Sequence, residues 1–234
     1  MDGYCLQGQP DRANELLNLM RVEGLKPNVV SYGTVINGYC KHKKVDFAWQ
    51  IFEEMPHKGL KPDVCVYNAM IQGLFSVGRS SHALKIFTDM KNVGLVPDSY
   101  TYGIVLDGLL ENEKFEDATL FYHEVDSKRL AFHLPFYNKF LHFLCNHNNL
   151  GYAFSIFNSL PAKGLHPDCK SYNIIICGCL KHGSKSDVMI LLKEMAKRGF
   201  KLNVSTVSLL LDQIQGDDDM ISLLAKLIPS YNDV

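Results

Sequence analysis

The sequence predicts an all-α protein built as a solenoid of antiparallel helix-turn-helix repeats. Three observations predict it. Pro27, Pro62, Pro97 and Pro167 are separated by 35, 35 and 70 residues, and four further ladders keep the same frame. They are Gly24/Gly59/Gly94/Gly164/Gly199, Tyr32/Tyr67/Tyr102/Tyr137/Tyr172, Ala13/Ala48/Ala83/Ala118/Ala153, and Met20/Met55/Met90/Met195 with Val125 and Leu160 filling the gaps. Within each period, apolar residues recur twice at helical spacing. A fixed period of this length marks a repeat architecture, because one hairpin cannot bury both of its faces and stacked neighbours can.

The frame divides the chain into a truncated repeat at 1–28, five full repeats at 29–63, 64–98, 99–133, 134–168 and 169–203, and a partial capping pair at 204–234. Residues 1–28 match the frame only from its tenth position, so their first helix is cut short and the neighbour is expected to expose an apolar flank. In the repeat at 29–63, Tyr32, Val35, Ile36 and Tyr39 form one stripe, and Ala48, Ile51, Phe52 and Met55 form the other. Both have the i, i+3, i+4, i+7 pattern of an amphipathic helix. The polar link Lys41–Val45 is short, which favours antiparallel neighbours. Lys58-Gly59-Leu60-Lys61-Pro62 stops the second helix: Gly supplies a left-handed cap and Pro cannot continue the helix. Asp63 or the next small polar residue can cap the helix that follows. Small Ala at the start of each second helix permits close approach. The aromatic and aliphatic ladders read as core, not as a cofactor box. At the far end, residues 204–215 form a first helix and Gly216-Asp217-Asp218-Asp219 precedes the segment Met220–Ile228. Three Asp at a helix N-terminus complement its dipole; metal binding is the weaker alternative, because consecutive Asp project in different directions. The pair is expected to present a polar outer side.

Composition and motifs narrow the function. Hydrophobic residues make up 47% of the 234, enough for a sizeable core. With 24 Lys+Arg against 25 Asp+Glu the net charge is −1, which excludes a globally basic nucleic-acid binder but not a local basic stripe. No apolar run reaches the roughly 18 residues of a membrane span, and Met1–Cys5 does not open a signal peptide. The seven cysteines are an odd number over a long chain, consistent with free thiols in a reducing compartment. Cys5, Cys40 and Cys145 share one frame position and read as buried packing residues, whereas His42, His147 and His182 share a loop-side position near solvent. No Cys-x-x-Cys, His-Glu-x-x-His or zinc-deaminase signature occurs, nor a phosphate-binding loop or dinucleotide glycine fingerprint. No nucleophile, base and orienter set is present, so no enzyme activity, no metal and no cofactor is expected.

The run Val29-Val30-Ser31-Tyr32-Gly33-Thr34-Val35-Ile36-Asn37-Gly38-Tyr39-Cys40-Lys41, closing with Phe52-Glu53-Glu54-Met55 and Gly59-Leu60-Lys61-Pro62-Asp63, resembles the pentatricopeptide repeat. So do Val66–Leu74 and Ser171–Gly178. The resemblance covers almost the whole chain, and its unbroken 35-residue period is similar to the pure-repeat (P) class of plant organellar proteins. It implies a right-handed superhelical solenoid that binds single-stranded RNA, one base per repeat. The family reads a base with the fifth residue of a unit and the last residue of the same unit. Carried over, this pairs Gly33 with Asp63, Asn68 with Asp98, Gly103 with His133, Asn138 with Asp168, and Asn173 with Asn203. Asn28 closes the broken first unit and Ser208 opens the last. The resemblance implies uracil for the Asn/Asp pairs, a pyrimidine for Asn/Asn, and a purine, weakly G, for Gly/Asp. Gly103/His133 departs from the pattern. The implied core is about 5′-G-U-N-U-Y-3′. The family's second position sandwiches the base; here it is Val30, Cys65, Tyr100, Pro135, Lys170 and Ser205, of which only Val30 is typical. Tyr100 could stack, and Lys170 could take a phosphate. The family's thirteenth-position cation is present as Lys41 and Lys181, against Ser76, Glu111 and Asn146 elsewhere. Lys41-His42-Lys43-Lys44 forms a local basic cluster or an ordinary solvated helix end.

The resemblance also implies a monomer in the mitochondrion or chloroplast, with protein processing factors as further partners and no membrane. The leading reading is occupancy of a transcript that shields, remodels or marks it for processing. A helical solenoid that presents its groove to protein is the alternative, favoured by the neutral charge. A third reading is a truncated fragment without activity, favoured by the missing leading helix.

Overall fold

The computed structural model describes residues 1–128, 130, 132–182, 184–213 and 218–228. Among them it is all-helical. The chain divides into two compact units, Met1–Ala131 and Phe132–Val234. The first unit holds α1 (Asp2–Leu6), α2 (Pro10–Val22), α3 (Val29–Lys41), α4 (Val45–His57), α5 (Val64–Ser76), α6 (Ser80–Asn92), α7 (Ser99–Glu111) and α8 (Phe115–Ser127). The second holds α9 (Leu134–Asn146), α10 (Leu150–Ser159), a 3-10 turn at Pro161–Lys163, α11 (Cys169–Lys181), α12 (Lys185–Lys197), α13 (Val204–Gln213) and α14 (Asp218–Leu227).

Within each unit the odd-numbered helices form one layer: α1 packs on α3, α3 on α5, α5 on α7, and in the second unit α9 on α11 and α11 on α13. α3, α5, α7 and α11 also pack on the helix that completes their hairpin and on the second helix of the hairpin before, as α3 does on α4 and α2. The predicted stripes are the core. Tyr32, Val35, Ile36 and Tyr39 are buried, and Ala13, Ala48, Ala83, Ala118 and Ala153 have no accessible surface. Backbones approach most closely where a glycine faces the preceding hairpin. A Cβ added to Gly38, Gly73, Gly108 or Gly178 would lie 2.2–2.6 Å from the side chain of Cys5, Cys40, Phe75 or Cys145 respectively. The cysteine ladder read as packing is therefore the set of knobs that fill these glycine holes, and Phe75 does the same work in the same frame.

Both ends of the hairpins α1–α2, α3–α4, α5–α6, α9–α10 and α11–α12 are closed by backbone bonds. After the second helix, Leu25, Leu60, Leu95, Leu165 and Phe200 donate N–H to the carbonyls of Met20, Met55, Met90, Leu160 and Met195, at 2.9–3.1 Å. This is the six-to-one bond of a Schellman motif, with Gly59 and its equivalents in the left-handed region. It explains why the methionine, glycine and leucine ladders travel together. The turn between the helices of one hairpin closes the same way, for example Lys44 N–H to Tyr39 O at 3.0 Å. There the left-handed residue is Gly8 or Gly78 in two hairpins but Lys43, Glu113 or Asn148 in three others, with φ of 59°, 55° and 58°. His42 and His147 each donate a ring N–H to the carbonyl four residues back, and His182 donates to Cys145 O of the preceding hairpin, all at 2.9 Å. These histidines are exposed, as expected, yet they cap helix ends.

At the two ends the outcome is mixed. The neighbour of the short α1 does expose apolar residues, Leu19 and Val22 of α2. The terminal pair α13 and α14 does not have the polar outer side expected of it: Leu211, Ile221 and Ile228 are exposed. α13 packs on α11 and α14 on α12, and these three apolar residues remain outside that packing. Gly216 and Asp217 of the acidic run lie outside the described residues. No helix among the described residues is long and apolar enough to cross a membrane.

Two substitutions in and beside α7 should move stability in opposite directions. Gly108→Ala forces a methyl to within 2.2 Å of the Phe75 ring and should cost about 1–3 kcal/mol, the scale of overpacking. Glu113→Gly relieves a side chain held at φ 55° and should gain about 1 kcal/mol. Urea midpoints of the two variants against the parent check both signs.

Candidate nucleic-acid interface

The residue that closes each repeat is the N-cap of the next first helix. Asn28, Asp63, Asp98, Asp168 and Asn203 each accept, on Oδ1, the backbone N–H three residues on, at 2.8–3.0 Å. Asp168 completes a capping box, because Ser171 Oγ accepts the Asp168 N–H at 3.2 Å. His133 makes no side-chain cap; α9 instead carries Pro135 in its first turn, where a missing N–H leaves one fewer donor to satisfy. The cap hydrogen bonds are legible in the acidities. At Asp98 the Thr101 N–H holds the carboxyl below the usual range, outweighing burial. At Asp168 burial pushes upward, but hydrogen bonds from Ser171 and Asn138 outweigh it, and the net displacement is downward.

The fifth-position residues lie one turn into the first helices. Asn68, Asn138 and Asn173 are buried, with 6%, 2% and 3% of their surface exposed. Their hydrogen bonding differs. Asn138 Oδ1 accepts from Ser171 Oγ at 2.7 Å, and its Nδ2 donates to Asp168 Oδ1 at 3.3 Å. Asn173 donates to the carbonyls of Cys169 and Lys201 at 2.7 and 3.3 Å, and its Oδ1 accepts the Asn203 N–H at 2.9 Å. Asn68 Oδ1 is buried and has no hydrogen-bond partner among the described residues. Fifth- and last-position residues are thus in direct contact in the Asn138/Asp168 and Asn173/Asn203 pairs. Gly33 and Gly103 are half-buried; Gly103 belongs to the first unit and His133 to the second.

The second-position residues Val30, Cys65, Tyr100, Pro135, Lys170 and Ser205 are all exposed, and Tyr100 keeps 65% of its surface. In the first unit a cavity of about 490 Å³ is bordered by Val30, Gly33, Cys65, Asn68, Asp63 and Tyr100, together with Asp2 and Asp98. In the second unit a cavity of about 350 Å³ is bordered by Lys170, Asn173, Asn203 and Ser205, with Lys181 and His142. The two cavities differ in charge: the first has three carboxylates and no Lys or Arg on its border, and the second has two lysines. Lys181 Nζ donates to Asn146 Oδ1 at 2.8 Å, whereas Lys41 is an exposed residue of the last turn of α3, outside the border of the first cavity. Burial, then Lys181 and Lys170, hold the His142 imidazole below its ordinary acidity range, which favours its neutral form.

Sequence reasoning did not include the residues four beyond the fifth position. Asn37 and Gln72 border the first cavity, and His142 and Cys177 the second. The signal was present: a residue four further along shares the face of its helix. Among the described residues no group of three or more His, Cys, Asp or Glu side chains could hold a metal ion.

Stacked helical hairpins whose first helices are capped by Asn or Asp, in each of the two units, define a helical-repeat protein. A family model described as PPR repeat family matches residues 1–38, 27–65, 62–111, 135–181 and 167–214, and the PPR repeat model matches 100–130. The chain belongs to the PPR, or pentatricopeptide repeat, family. It is similar in structure to the pentatricopeptide repeat protein PPR10 from maize, with a TM-score of 0.69 and 26% identity over 97% of this chain and 32% of that one. PPR10 in complex with an 18-nt psaJ RNA element matches at a TM-score of 0.63 and 20% identity, over 96% of this chain and 37% of that one. The PPR domain of Arabidopsis thaliana protein-only RNase P 1, in complex with tRNA, shares the fold at a TM-score of 0.64 and 15% identity, over 76% of this chain and 93% of that one. The chain thus spans about a third of the length of the maize protein. Among curated proteins no significant sequence match is found.

Because the folded-state acidities of Asp98 and Asp168 lie below their ordinary value of 3.8, the stability they contribute is present above that value and is lost as pH falls through the lower folded one. Asp98→Asn should blunt the acid loss below about pH 4 relative to the parent, since Asn caps without titrating. Asp98→Ala should cost about 1 kcal/mol at neutral pH. Urea unfolding across pH 2–7 checks both, with the difference between parent and Asp98→Asn isolating this carboxyl from the other acids.

Proposed function

We propose that this chain binds single-stranded RNA along the groove of its first helices, one base to each hairpin, and acts by occupancy. The observation that carries this reading is the Asn68 amide. A buried carbonyl oxygen without a partner costs about 1–3 kcal/mol, and Asn68 Oδ1 is such a group, in a residue that borders the same cavity as the exposed Tyr100. A ligand with an N–H at its edge and a flat face suits both. Uracil has that form: its N3–H can be given to Oδ1 while its ring lies against an aromatic side chain. Base–aromatic stacking adds about 1–3 kcal/mol where it forms. That relatives of the same fold are found in complex with RNA supports the reading that this chain binds RNA. On this reading the fifth and last residues of each repeat read the bases, Val30, Cys65, Tyr100, Pro135 and Lys170 flank them, and Lys41 and Lys181 meet phosphates. Bound to an organellar transcript in the mitochondrion or chloroplast, the protein would shield it or present it to processing factors.

The carboxylates on the first cavity favour a second reading, a scaffold that takes a basic peptide. Selection of bound RNA from a random pool separates the two. The RNA reading expects enrichment of a uracil-rich core near G-U-N-U-Y, and Asn68→Ser should move the base at that position from U towards G. Enrichment of no sequence, or an unchanged base with Asn68→Ser, would leave the scaffold reading in place.

A further inference from the structure

We propose that the Ser171 hydroxyl is a latch that determines how strongly the Asn138/Asp168 pair discriminates between bases. The inference rests on the base-reading role of that pair and adds a residue from the following hairpin to it. Ser171 is fully buried, three residues beyond the cap that Asp168 provides. Its oxygen accepts the Asp168 N–H, so its single proton is free to be donated. Two acceptors lie within reach: Asn138 Oδ1 at 2.7 Å and Asp168 Oδ1 at 2.8 Å. A hydroxyl serves one of them at a time. Donated to Asn138, the proton occupies one lone pair of the amide oxygen and holds that oxygen toward the following hairpin. Donated to Asp168, it leaves the amide oxygen for a base.

The same place in other hairpins shows the alternatives. Beyond Asn68, the corresponding residue is Thr101, whose hydroxyl goes to Asp98 Oδ1 at 2.9 Å, and Asn68 Oδ1 is left without a partner. Beyond Asn173 it is Thr206, whose hydroxyl lies 2.8 Å from Asn203 Oδ1 and 3.1 Å from Cys177 Sγ. Beyond Gly33 it is Val66, and a Cβ added to Gly33 would sit 3.1 Å from Val66 Cγ2. At Ser171/Asn138 and Val66/Gly33 the third residue of a hairpin thus meets the fifth residue of the one before it. In the Thr hairpins the cap draws the hydroxyl; at Ser171 the reading amide lies closer to it than the cap.

Uracil presents a donor at N3 and cytosine an acceptor. An amide oxygen already holding the Ser171 proton gains less from uracil than an unoccupied one. The base at Asn138 is thus discriminated less sharply than the base at Asn68.

The test uses the full chain and short RNAs that differ only by U or C at one position. Affinities are measured for the parent, Ser171→Ala and Ser171→Thr, each with a thermal melt. The parent should show a larger U-to-C affinity ratio at the Asn68 base than at the Asn138 base. Ser171→Ala should raise the ratio at the Asn138 base about fivefold, the scale of one neutral hydrogen bond, and leave the Asn68 base unchanged. Ser171→Thr, which keeps a hydroxyl for Asp168, should raise it as well and carries the test if the Ala variant does not fold. A ratio that is unchanged or lower in the folded variants overturns the latch. A parent indifferent to base at every position, the Asn68 position included, overturns the RNA reading itself.

Discussion

The close approach of successive first helices is the constraint on which the groove depends. It exists because a glycine in one hairpin receives a side chain from the hairpin before: Cys5 on Gly38, Cys40 on Gly73, Phe75 on Gly108, Cys145 on Gly178. The knob can be a thiol or a ring; the hole admits no Cβ. Packing at this distance sets the spacing between a fifth-position side chain and the cap of the next helix. In the Asn138/Asp168 and Asn173/Asn203 pairs that spacing is a hydrogen bond. A looser array would keep the same sequence ladders and lose the pairing.

A second constraint falls on the same residues. Every first helix needs an acceptor for its orphan N–H groups, and the residue that closes each repeat supplies it. Asn or Asp therefore recurs at 28, 63, 98, 168 and 203 for a reason that precedes any ligand. One oxygen is committed to the helix, and only the remainder of the side chain is available to a base. His133 departs from the pattern where Pro135 lowers the demand. Capping and recognition thus select for the same two residue types, and the recurrence of Asn and Asp alone does not separate them.

This overlap decides how much could be read before the structure. The hairpins, the Ala and Tyr ladders and the Cys packing positions follow from periodicity, because apolar side chains recurring in phase have only one buried face to occupy. Asp63, or the next small polar residue, was legible as a cap from its place just past the Gly59–Pro62 stop. The burial of Asn68, Asn138 and Asn173 was not, since it is produced by the neighbouring hairpin and not by their own helix. Nor was the difference among them: Thr101, Ser171 and Thr206 hold one frame position with similar side chains, yet only Ser171 reaches the preceding amide. The exposed Leu211, Ile221 and Ile228 depend likewise on which faces of α13 and α14 find partners.

The electrostatics of the two units add a last step. Phosphate contacts supply affinity without sequence information, and base contacts supply the information. In the second unit, Lys170 and Lys181 border the cavity while the amides of Asn138 and Asn173 are tied into protein hydrogen bonds. In the first, Asn68 keeps an unpartnered buried oxygen and shares its cavity with Tyr100, but carboxylates border that cavity and no lysine does. Under the RNA reading, holding and reading are therefore weighted differently in the two units. The second would contribute affinity that salt screens, and the first discrimination that salt leaves largely intact, because a buried amide and a stacked ring carry no net charge.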